Sequence, residues 1–91
     1  MKLDIVVSNQ FKKDLKIIAK RGYDLMLLDG IVEKLANHIP LEEKYRDHSL
    51  TGNYKGFREC HIQSDWLLIY RINETEVMLM LSRTGTHSDL F

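Results

Sequence analysis

The stretch FRECHIQSDWLLIYRINETEVMLMLSR, residues 57–83, decides the fold because its pattern is that of strands joined by tight turns. Residues 57–62, 66–72 and 76–83 are rich in apolar, aromatic and β-branched side chains, and the polar segments 63–65 and 73–75 separate them. Connections this short force consecutive strands to run antiparallel. The stretch therefore predicts a three-stranded antiparallel meander.

Upstream of the meander, the pattern first alternates and then becomes helical. The alternation within residues 3–7 predicts a short first strand. A first helix is expected after a cap at Ser8 or Asn9, and Gly22 is expected to end it. Its apolar stripe consists of Phe11, Leu15, Ile18 and Ala19. Its opposite side carries Lys12, Lys13, Lys16 and Lys20.

A second helix is expected to begin after a cap at Asp24 and to end at Pro40. Its buried face consists of Leu25, Leu28, Val32, Leu35 and Ile39. The sequence therefore predicts an α+β fold with an N-terminal strand, a helical hairpin and the meander. The strands form a four-stranded sheet with both helices on one face, and the position of the first strand in the sheet stays open.

The size and composition of the chain are those of one soluble domain. Its 91 residues predict a single domain over 1–91, with ordinary shares of hydrophobic (44%) and charged (29%) residues. The longest apolar runs are far shorter than the roughly 20 residues that cross a bilayer, and the N-terminus does not resemble a secretory signal. Cys60 is the only cysteine, which excludes an internal disulfide and favours a cytoplasmic location.

The zero net charge of the chain hides an uneven distribution. Residues 1–23 carry six Lys or Arg against two acids, whereas residues 24–47 carry three against six. A nucleic-acid binder is usually more basic overall, so the balance argues against long-range attraction to a polyanion. The lysines of the first helix nevertheless form a local basic patch.

The histidines differ in where the predicted strands place them. His38 falls in the last turn of the second helix and is interpreted as structural or solvated. The antiparallel topology brings five residues to one end of the sheet, namely His61, Asp65, Trp66, Arg83 and His87. His48 precedes the second strand and reaches that end only if its loop folds back over the sheet.

Several interpretations fit three imidazoles and a carboxylate. Histidine and aspartate are good metal ligands, although Arg83 would oppose a cation. Alternatively, the group suits cleavage of a phosphodiester, in which a base takes the proton of a ribose 2′-hydroxyl, an arginine stabilises the phosphorane and an acid protonates the leaving 5′-oxygen. A set of unrelated surface histidines is the third possibility. Cys60 is interpreted as a small buried hydrophobe and not as a nucleophile.

Four motifs, in this order and spacing, resemble a known family: His48-x-Leu50-x-Gly52, residues 56–61 (GFRECH), residues 65–70 (DWLLIY) and residues 83–91 (RTGTHSDLF). They are similar to the YafQ branch of the RelE-like toxins of bacterial toxin–antitoxin pairs, and the resemblance covers the whole chain. It implies a ribosome-dependent endoribonuclease that cuts mRNA, leaves a 2′,3′-cyclic phosphate and needs no cofactor or metal. It also implies silencing by a cognate antitoxin, which is dimeric and binds DNA.

The resemblance implies a set of catalytic positions, namely His48, His61, Asp65, Arg83, His87 and Phe91. Within this interpretation, His87 is the general acid and either His48 or His61, oriented by Asp65, is the base. Arg83 binds the scissile phosphate, and Phe91 stacks on the neighbouring base.

Two groups of residues are further candidates for contact with RNA. Trp66 lies at the start of its strand and borders the predicted site. The lysines of the first helix are expected to contact ribosomal RNA phosphates, namely Lys12, Lys13, Lys16 and Lys20.

Two other functions remain open at this stage. ParE-type toxins resemble the same fold but act by binding DNA gyrase, without RNA chemistry. A catalytically inactive module that binds RNA or protein is the second alternative. The concentration of imidazoles, Asp65 and Arg83 at one end of the sheet favours the nuclease, because a gyrase-binding protein does not need it.

Overall fold

The predicted meander forms the centre of the sheet in a computed structural model that describes residues 2–91. Its strands are β3 (Arg58–Gln63), β4 (Trp66–Asn73) and β5 (Met78–Gly85), and each pairs antiparallel with the next. The α+β prediction is confirmed. The last strand begins two residues later than predicted because Val77 adopts a left-handed conformation, with φ of 57°, which belongs to the turn.

The sheet has five strands in the order β1-β5-β4-β3-β2, so the prediction of four was wrong by one. The first strand, β1 (Asp4–Val7), lies at one edge and runs parallel to β5. The additional strand, β2 (His48–Ser49), pairs antiparallel with β3 at the other edge. A strand of two residues leaves no alternating pattern in the sequence, and for this reason it was read as loop.

The first helix, α1 (Asn9–Lys20), begins at the predicted cap, where the Ser8 hydroxyl accepts a hydrogen bond from the Phe11 amide at 2.9 Å. Its buried face differs from the predicted stripe, since Ala19 is exposed and Asp14 is buried. Asp14 takes the buried position because its carboxylate accepts a hydrogen bond from the Thr84 amide of β5 at 3.2 Å. Asp14 thereby satisfies a backbone donor at the edge of β5, beyond the point where β1 ends.

The second helix, α2 (Leu25–Ala36), begins at the predicted Asp24 cap but ends four residues before Pro40. The helix stops there because His38 adopts a left-handed conformation, and the Ile39 amide then donates to the Lys34 carbonyl at 2.9 Å. Ile39 is half exposed instead of buried. The placement of His38 in the last helical turn was also wrong. His38 is exposed, lies beyond the helix and has φ of 59°.

The two faces of the sheet are covered unequally. The helical hairpin packs on one face over the main core, which includes Cys60, Trp66, Leu68 and Tyr70. The other face has a small apolar cluster of Leu67, Ile69 and Leu90 with half-buried Leu50, Tyr54 and Phe57. Leu90 belongs to a short third helix, α3 (His87–Leu90), that follows β5. This second face is therefore left accessible beside the cluster. No helix within residues 2–91 is long and apolar enough to cross a membrane.

Candidate active site

Three histidines meet on the sheet face opposite the helical hairpin. Residues two apart on a strand point to the same side, and β3 accordingly directs Glu59 and His61 to this face. His48 is the cross-strand partner of Glu59. The pairing of β2 with β3 is therefore the fold-back that His48 needs in order to reach the other histidines. The ring centroids of His48 and His61 are 6.5 Å apart, and those of His61 and His87 are 5.9 Å apart.

The strand that carries His48 is anchored by a network around Asp47. The Asp47 carboxylate accepts hydrogen bonds from the Tyr70 hydroxyl and from Arg58 Nε and Nη2, the latter two at 3.3 Å. Arg58 Nη1 also donates to the Ser49 hydroxyl at 2.9 Å. Burial, followed by the contact with Asp47, raises the pKa of Tyr70, which keeps its hydroxyl protonated as the donor. The network holds His48 against β3.

Glu59 is a site residue that the sequence analysis missed. Its side chain is only 5% exposed, and its Oε1 atom lies 3.6 Å from Nε2 of His48 and 3.6 Å from Nε2 of His61. One buried carboxylate therefore faces the same nitrogen of two imidazoles. The available signal was the spacing of Glu59 and His61, which places both side chains on one face of a strand.

The remaining ring nitrogens of these two histidines face backbone carbonyls. His48 Nδ1 lies 2.6 Å from the Arg46 oxygen, and His61 Nδ1 lies 3.2 Å from the Ser64 oxygen. A carbonyl only accepts hydrogen bonds, so in each neutral ring the proton belongs on Nδ1 and the lone pair on Nε2. In its neutral form each of these imidazoles thus presents an unprotonated Nε2 to the site, which is the form that a general base requires.

His87 is paired with a different carboxylate. Asp65 Oδ1 accepts the His87 backbone amide at 3.0 Å and lies 3.2 Å from His87 Nδ1. The hydrogen bond from the His87 amide, followed by the contact with the imidazole, lowers the pKa of Asp65, so this carboxylate stays charged. Asp65 was expected to orient His48 or His61, and this contact was wrong, because Asp65 binds His87 instead. Asp65 lies in the turn between β3 and β4, directly below the start of α3, and this position pairs it with His87.

Arg83 shares a row of the sheet with His48, because the register pairs His48 with Glu59, Glu59 with Ile69, and Ile69 with Arg83. Its guanidinium forms a two-pronged ion pair with Asp14, with Nε and Nη2 at 2.8 and 3.2 Å from the carboxylate oxygens. This pair raises the pKa of Arg83. The charge of Arg83 is therefore partly balanced by Asp14.

Aromatic rings continue the row of imidazoles. The Phe91 ring is 63% exposed and lies 6.0 Å from the His87 ring and 5.6 Å from the Tyr54 ring, measured between centroids. Tyr54 was not predicted as a site residue, because its short loop gives no periodic signal. The exposed Phe91 ring offers a flat apolar surface directly beside the histidines.

The proposed RNA contact of Trp66 was wrong. Its side chain is completely buried in the main core, where its ring meets the edge of Tyr23 at a centroid distance of 5.1 Å. The indole N–H donates to the Thr84 hydroxyl at 2.9 Å, and that hydroxyl donates to the Leu67 carbonyl. Position 66 faces the helices, and so Trp66 supports the fold beneath the site without touching a ligand.

The lysines of α1 occupy a separate surface. All four side chains are exposed on the helix that packs along β5, namely Lys12, Lys13, Lys16 and Lys20. Their exposure leaves them accessible to a large polyanion that contacts this helix.

The part of the chain that the structure describes, residues 2–91, contains no group of three His, Cys, Asp or Glu side chains arranged to hold a metal ion. The interpretation of Cys60 as a buried hydrophobe agrees with its position in the main core. Burial raises the pKa of its thiol to about 12, so the reactive thiolate is not populated near neutral pH.

Comparison with known proteins gives a consistent result. A family described as the bacterial toxin of a type II toxin–antitoxin system, YafQ, matches residues 3–91. The chain belongs to the YafQ toxin family. The mRNA interferase toxin YafQ of Escherichia coli K12 is 43% identical over 89 residues, which are 97% of this chain and 95% of that protein.

Solved structures agree with this membership. A metal-bound toxin from Helicobacter pylori is 52% identical and superposes with a TM-score of 0.92, covering 98% of this chain and 99% of that one. The toxin in the E. coli DinJ–YafQ toxin–antitoxin complex is 40% identical, with a TM-score of 0.89 over 100% and 99% of the two chains. The α+β architecture is therefore that of the YafQ structures.

Proposed function

We propose that this YafQ-family toxin is an endoribonuclease that cuts ribosome-bound mRNA by attack of a ribose 2′-hydroxyl on the adjacent phosphate. The observation that carries the proposal is the division of the imidazoles into two kinds. His48 and His61 present Nε2 beside the buried carboxylate of Glu59. His87 is paired through Nδ1 with the exposed carboxylate of Asp65. An acid and a base with different partners are what this reaction needs.

The base is His48 or His61. Nε2 of either ring accepts the proton of the 2′-hydroxyl while the 2′-oxygen forms a bond to phosphorus. The ring becomes an imidazolium as it takes the proton, and the Glu59 carboxylate at 3.6 Å stabilises that charge. Two rings related in the same way to one carboxylate can substitute for each other.

His87 is the acid. As an imidazolium held by Asp65 through Nδ1, it donates the Nε2 proton to the 5′-oxygen while the bond from phosphorus to that oxygen breaks. The products are a 2′,3′-cyclic phosphate on one fragment and a 5′-hydroxyl on the other. One proton enters the protein and one leaves it, so the step consumes neither water nor a cofactor.

Two residues handle the rest of the substrate in this proposal. Arg83 binds a non-bridging phosphate oxygen and stabilises the charge that builds up on the phosphorane, sharing its own charge with Asp14. Phe91 stacks on a nucleobase next to the scissile phosphate, for which its exposure and its 6.0 Å distance from the His87 ring are suitable.

The ribosome explains how a chain of zero net charge acts on RNA. Such a chain has little long-range attraction to a polyanion, so the ribosome supplies the positioning and the α1 lysines contact ribosomal RNA phosphates. The lysines concerned are Lys12, Lys13, Lys16 and Lys20. This assignment places the active protein in the cytoplasm.

A cognate antitoxin is the second partner. The E. coli relative has been crystallised as a DinJ–YafQ toxin–antitoxin complex. By analogy, we expect a dimeric, DNA-binding antitoxin to bind this chain and to silence it until the antitoxin is removed.

The test uses two ribosome-bound messages that differ in one atom. In the second message, sulfur replaces the scissile 5′-oxygen. A thiol has a pKa of about 8.5, so sulfur leaves without a proton and needs no acid. We expect His87→Ala to abolish cleavage of the ordinary message, to cut the sulfur-containing one at close to the normal rate, and to bind ribosomes as wild type does. Ser88→Ala, at an exposed neighbouring position on α3, is the matched control.

The alternatives give different results in this experiment or in assays of growth and DNA supercoiling. A His87→Ala protein that cuts both messages normally would remove His87 from the mechanism. Growth arrest with intact mRNA and inhibited supercoiling would indicate a gyrase-binding toxin, and a wild-type protein that binds ribosomes without cutting would indicate an inactive binding module.

A further inference from the structure

The helix that carries His87 is too short to be stable by itself. α3 spans only His87–Leu90, and Phe91 follows it directly. Isolated helices of a single turn do not persist in water, so the position of this one depends on its contacts with the rest of the chain. Any residue that fixes α3 also fixes the proposed acid.

Asp89 is the centre of a second set of contacts that hold α3. Its carboxylate accepts the Thr86 amide at 2.9 Å, and its own amide donates to the Thr86 hydroxyl at 3.2 Å, which together form a capping box. The packing is close. A Cβ atom on Gly85 would lie 3.0 Å from both Cβ and Oδ2 of Asp89, so the glycine leaves room for this arrangement.

Arg21 ties this carboxylate to a distant part of the chain. It directly follows α1, and its Nη1 and Nη2 atoms donate to Asp89 Oδ2 and Oδ1 at 2.7 and 3.1 Å. A two-pronged guanidinium–carboxylate pair fixes orientation as well as distance. The pair strongly lowers the pKa of Asp89, so this carboxylate stays charged near neutral pH.

α3 is therefore held at three points. Asp65 binds the first residue of the helix, Leu90 packs into the small apolar cluster, and Arg21 holds Asp89. Of these three, only the Arg21 contact comes from the helical hairpin.

We propose that Arg21 is a positioning residue of the catalytic site, which acts through Asp89 to hold α3 so that His87 faces the leaving oxygen. The inference rests on the proposed role of His87 as the acid. The Arg21 guanidinium hydrogen-bonds to Asp89 and to none of the three site histidines, so its effect on His87 passes through the carboxylate of Asp89.

The experiment measures single-turnover cleavage of the two ribosome-bound messages. Displacement of a catalytic group by about 1 Å costs roughly 100-fold in rate, so we expect Arg21→Ala to cut the ordinary message roughly 10- to 100-fold more slowly. The sulfur-containing message should restore most of that rate, because it needs no acid. Ribosome association should be unchanged, and Arg21→Lys, which keeps the charge but loses the two-pronged geometry, should be intermediate.

A second variant removes the same contact from the other partner. Asp89→Asn keeps an oxygen for the Thr86 amide but loses the ion pair, so it should match Arg21→Ala, and the double variant should be no slower than either single one. Lys2→Ala breaks another exposed ion pair, with Glu33, and should leave the rate unchanged. Melting temperatures of all variants identify any that fail to fold.

Several results would overturn the inference. Arg21→Ala with a normal rate, or with an equal loss on both messages, would show that Arg21 does not act through the acid. Reduced ribosome association would indicate that Arg21 binds RNA directly. If His87→Ala itself is not restored by sulfur, the proposed function fails, and this result is separate from any obtained with Arg21.

Discussion

Replacement of Glu59 by glutamine removes the negative charge that faces both candidate bases, His48 and His61, without changing the shape of the side chain. The carboxylate lies 3.6 Å from Nε2 of His48 and 3.6 Å from that of His61, beyond a direct hydrogen bond, so its effect is mainly that of charge. At an effective dielectric constant of about 20, two unit charges at this distance attract by about 4.6 kcal/mol.

The expected loss of activity is smaller than this attraction. The His48 side chain is 50% exposed, and solvent screens its interaction with Glu59, whereas the His61 side chain is only 12% exposed. We therefore expect Glu59→Gln to cut ribosome-bound mRNA about 100-fold more slowly, which corresponds to about 2.7 kcal/mol in activation free energy.

The assay is single-turnover cleavage at saturating ribosome, with the ordinary and the sulfur-containing message. Because Glu59 acts on the base, replacement of the leaving oxygen by sulfur should not restore the rate of Glu59→Gln, in contrast to His87→Ala. A thermal unfolding curve establishes that the variant is folded. A wild-type rate, or restoration by sulfur, would refute the assignment of Glu59 to the base.

Three further predictions concern other parts of the molecule. The pKa of Asp65 is lowered in the folded chain, so the stability that Asp65 contributes is fully present above its unfolded pKa of 3.8 and is lost as the pH falls through its folded pKa. The free energies of unfolding of wild type and Asp65→Asn, measured in urea, should therefore converge as the pH falls below about 4. Trp66→Phe should reduce the free energy of unfolding by roughly 1–3 kcal/mol, because the bond to Thr84 is lost, while ribosome affinity is unchanged. Charge reversal of the α1 lysines should weaken ribosome association and reduce its salt dependence, and unchanged association would mean that this face is merely solvated.

The features that sequence patterns predicted correctly are those that depend on neighbours along the chain. The Ser8 and Asp24 caps, the meander and its antiparallel order follow from local periodicity and short turns. The proximity of His61 and His87 followed from the same topology, and their ring centroids are 5.9 Å apart. Helix α2 ends earlier than predicted because His38 adopts a left-handed conformation, which the apolar pattern does not reveal.

The features that were missed depend on contacts between distant segments. Strand β2 exists because Asp47 binds Tyr70 and Arg58 across the sheet, and a two-residue strand has no period of its own. Glu59 looks like an ordinary exposed strand position until β2 covers it. Asp14 lies outside the predicted apolar stripe of α1, and its burial depends on the hydrogen bond with Thr84 at the β5 edge, 70 residues away.

The direction of Trp66 was the other nonlocal question. Its place at the start of a strand and beside Asp65 suggested that Trp66 borders the site. The alternation of side chains along β4 instead directs it toward the helices, where it packs against Tyr23 and hydrogen-bonds to Thr84. The correct assignment required the register of the strand relative to the buried face.

In the proposed reaction the ribose 2′-hydroxyl attacks the phosphate, and the most direct measurement removes that hydroxyl. A ribosome-bound message with a single 2′-deoxynucleotide on the 5′ side of the scissile bond is compared with the all-ribose message, and the ends of the fragments are identified by mass. We predict that the all-ribose message yields a 2′,3′-cyclic phosphate and a 5′-hydroxyl, and that the deoxy-substituted message is not cut at that bond. Cleavage of the deoxy-substituted bond, or fragments with a 3′-hydroxyl and a 5′-phosphate, would contradict the account.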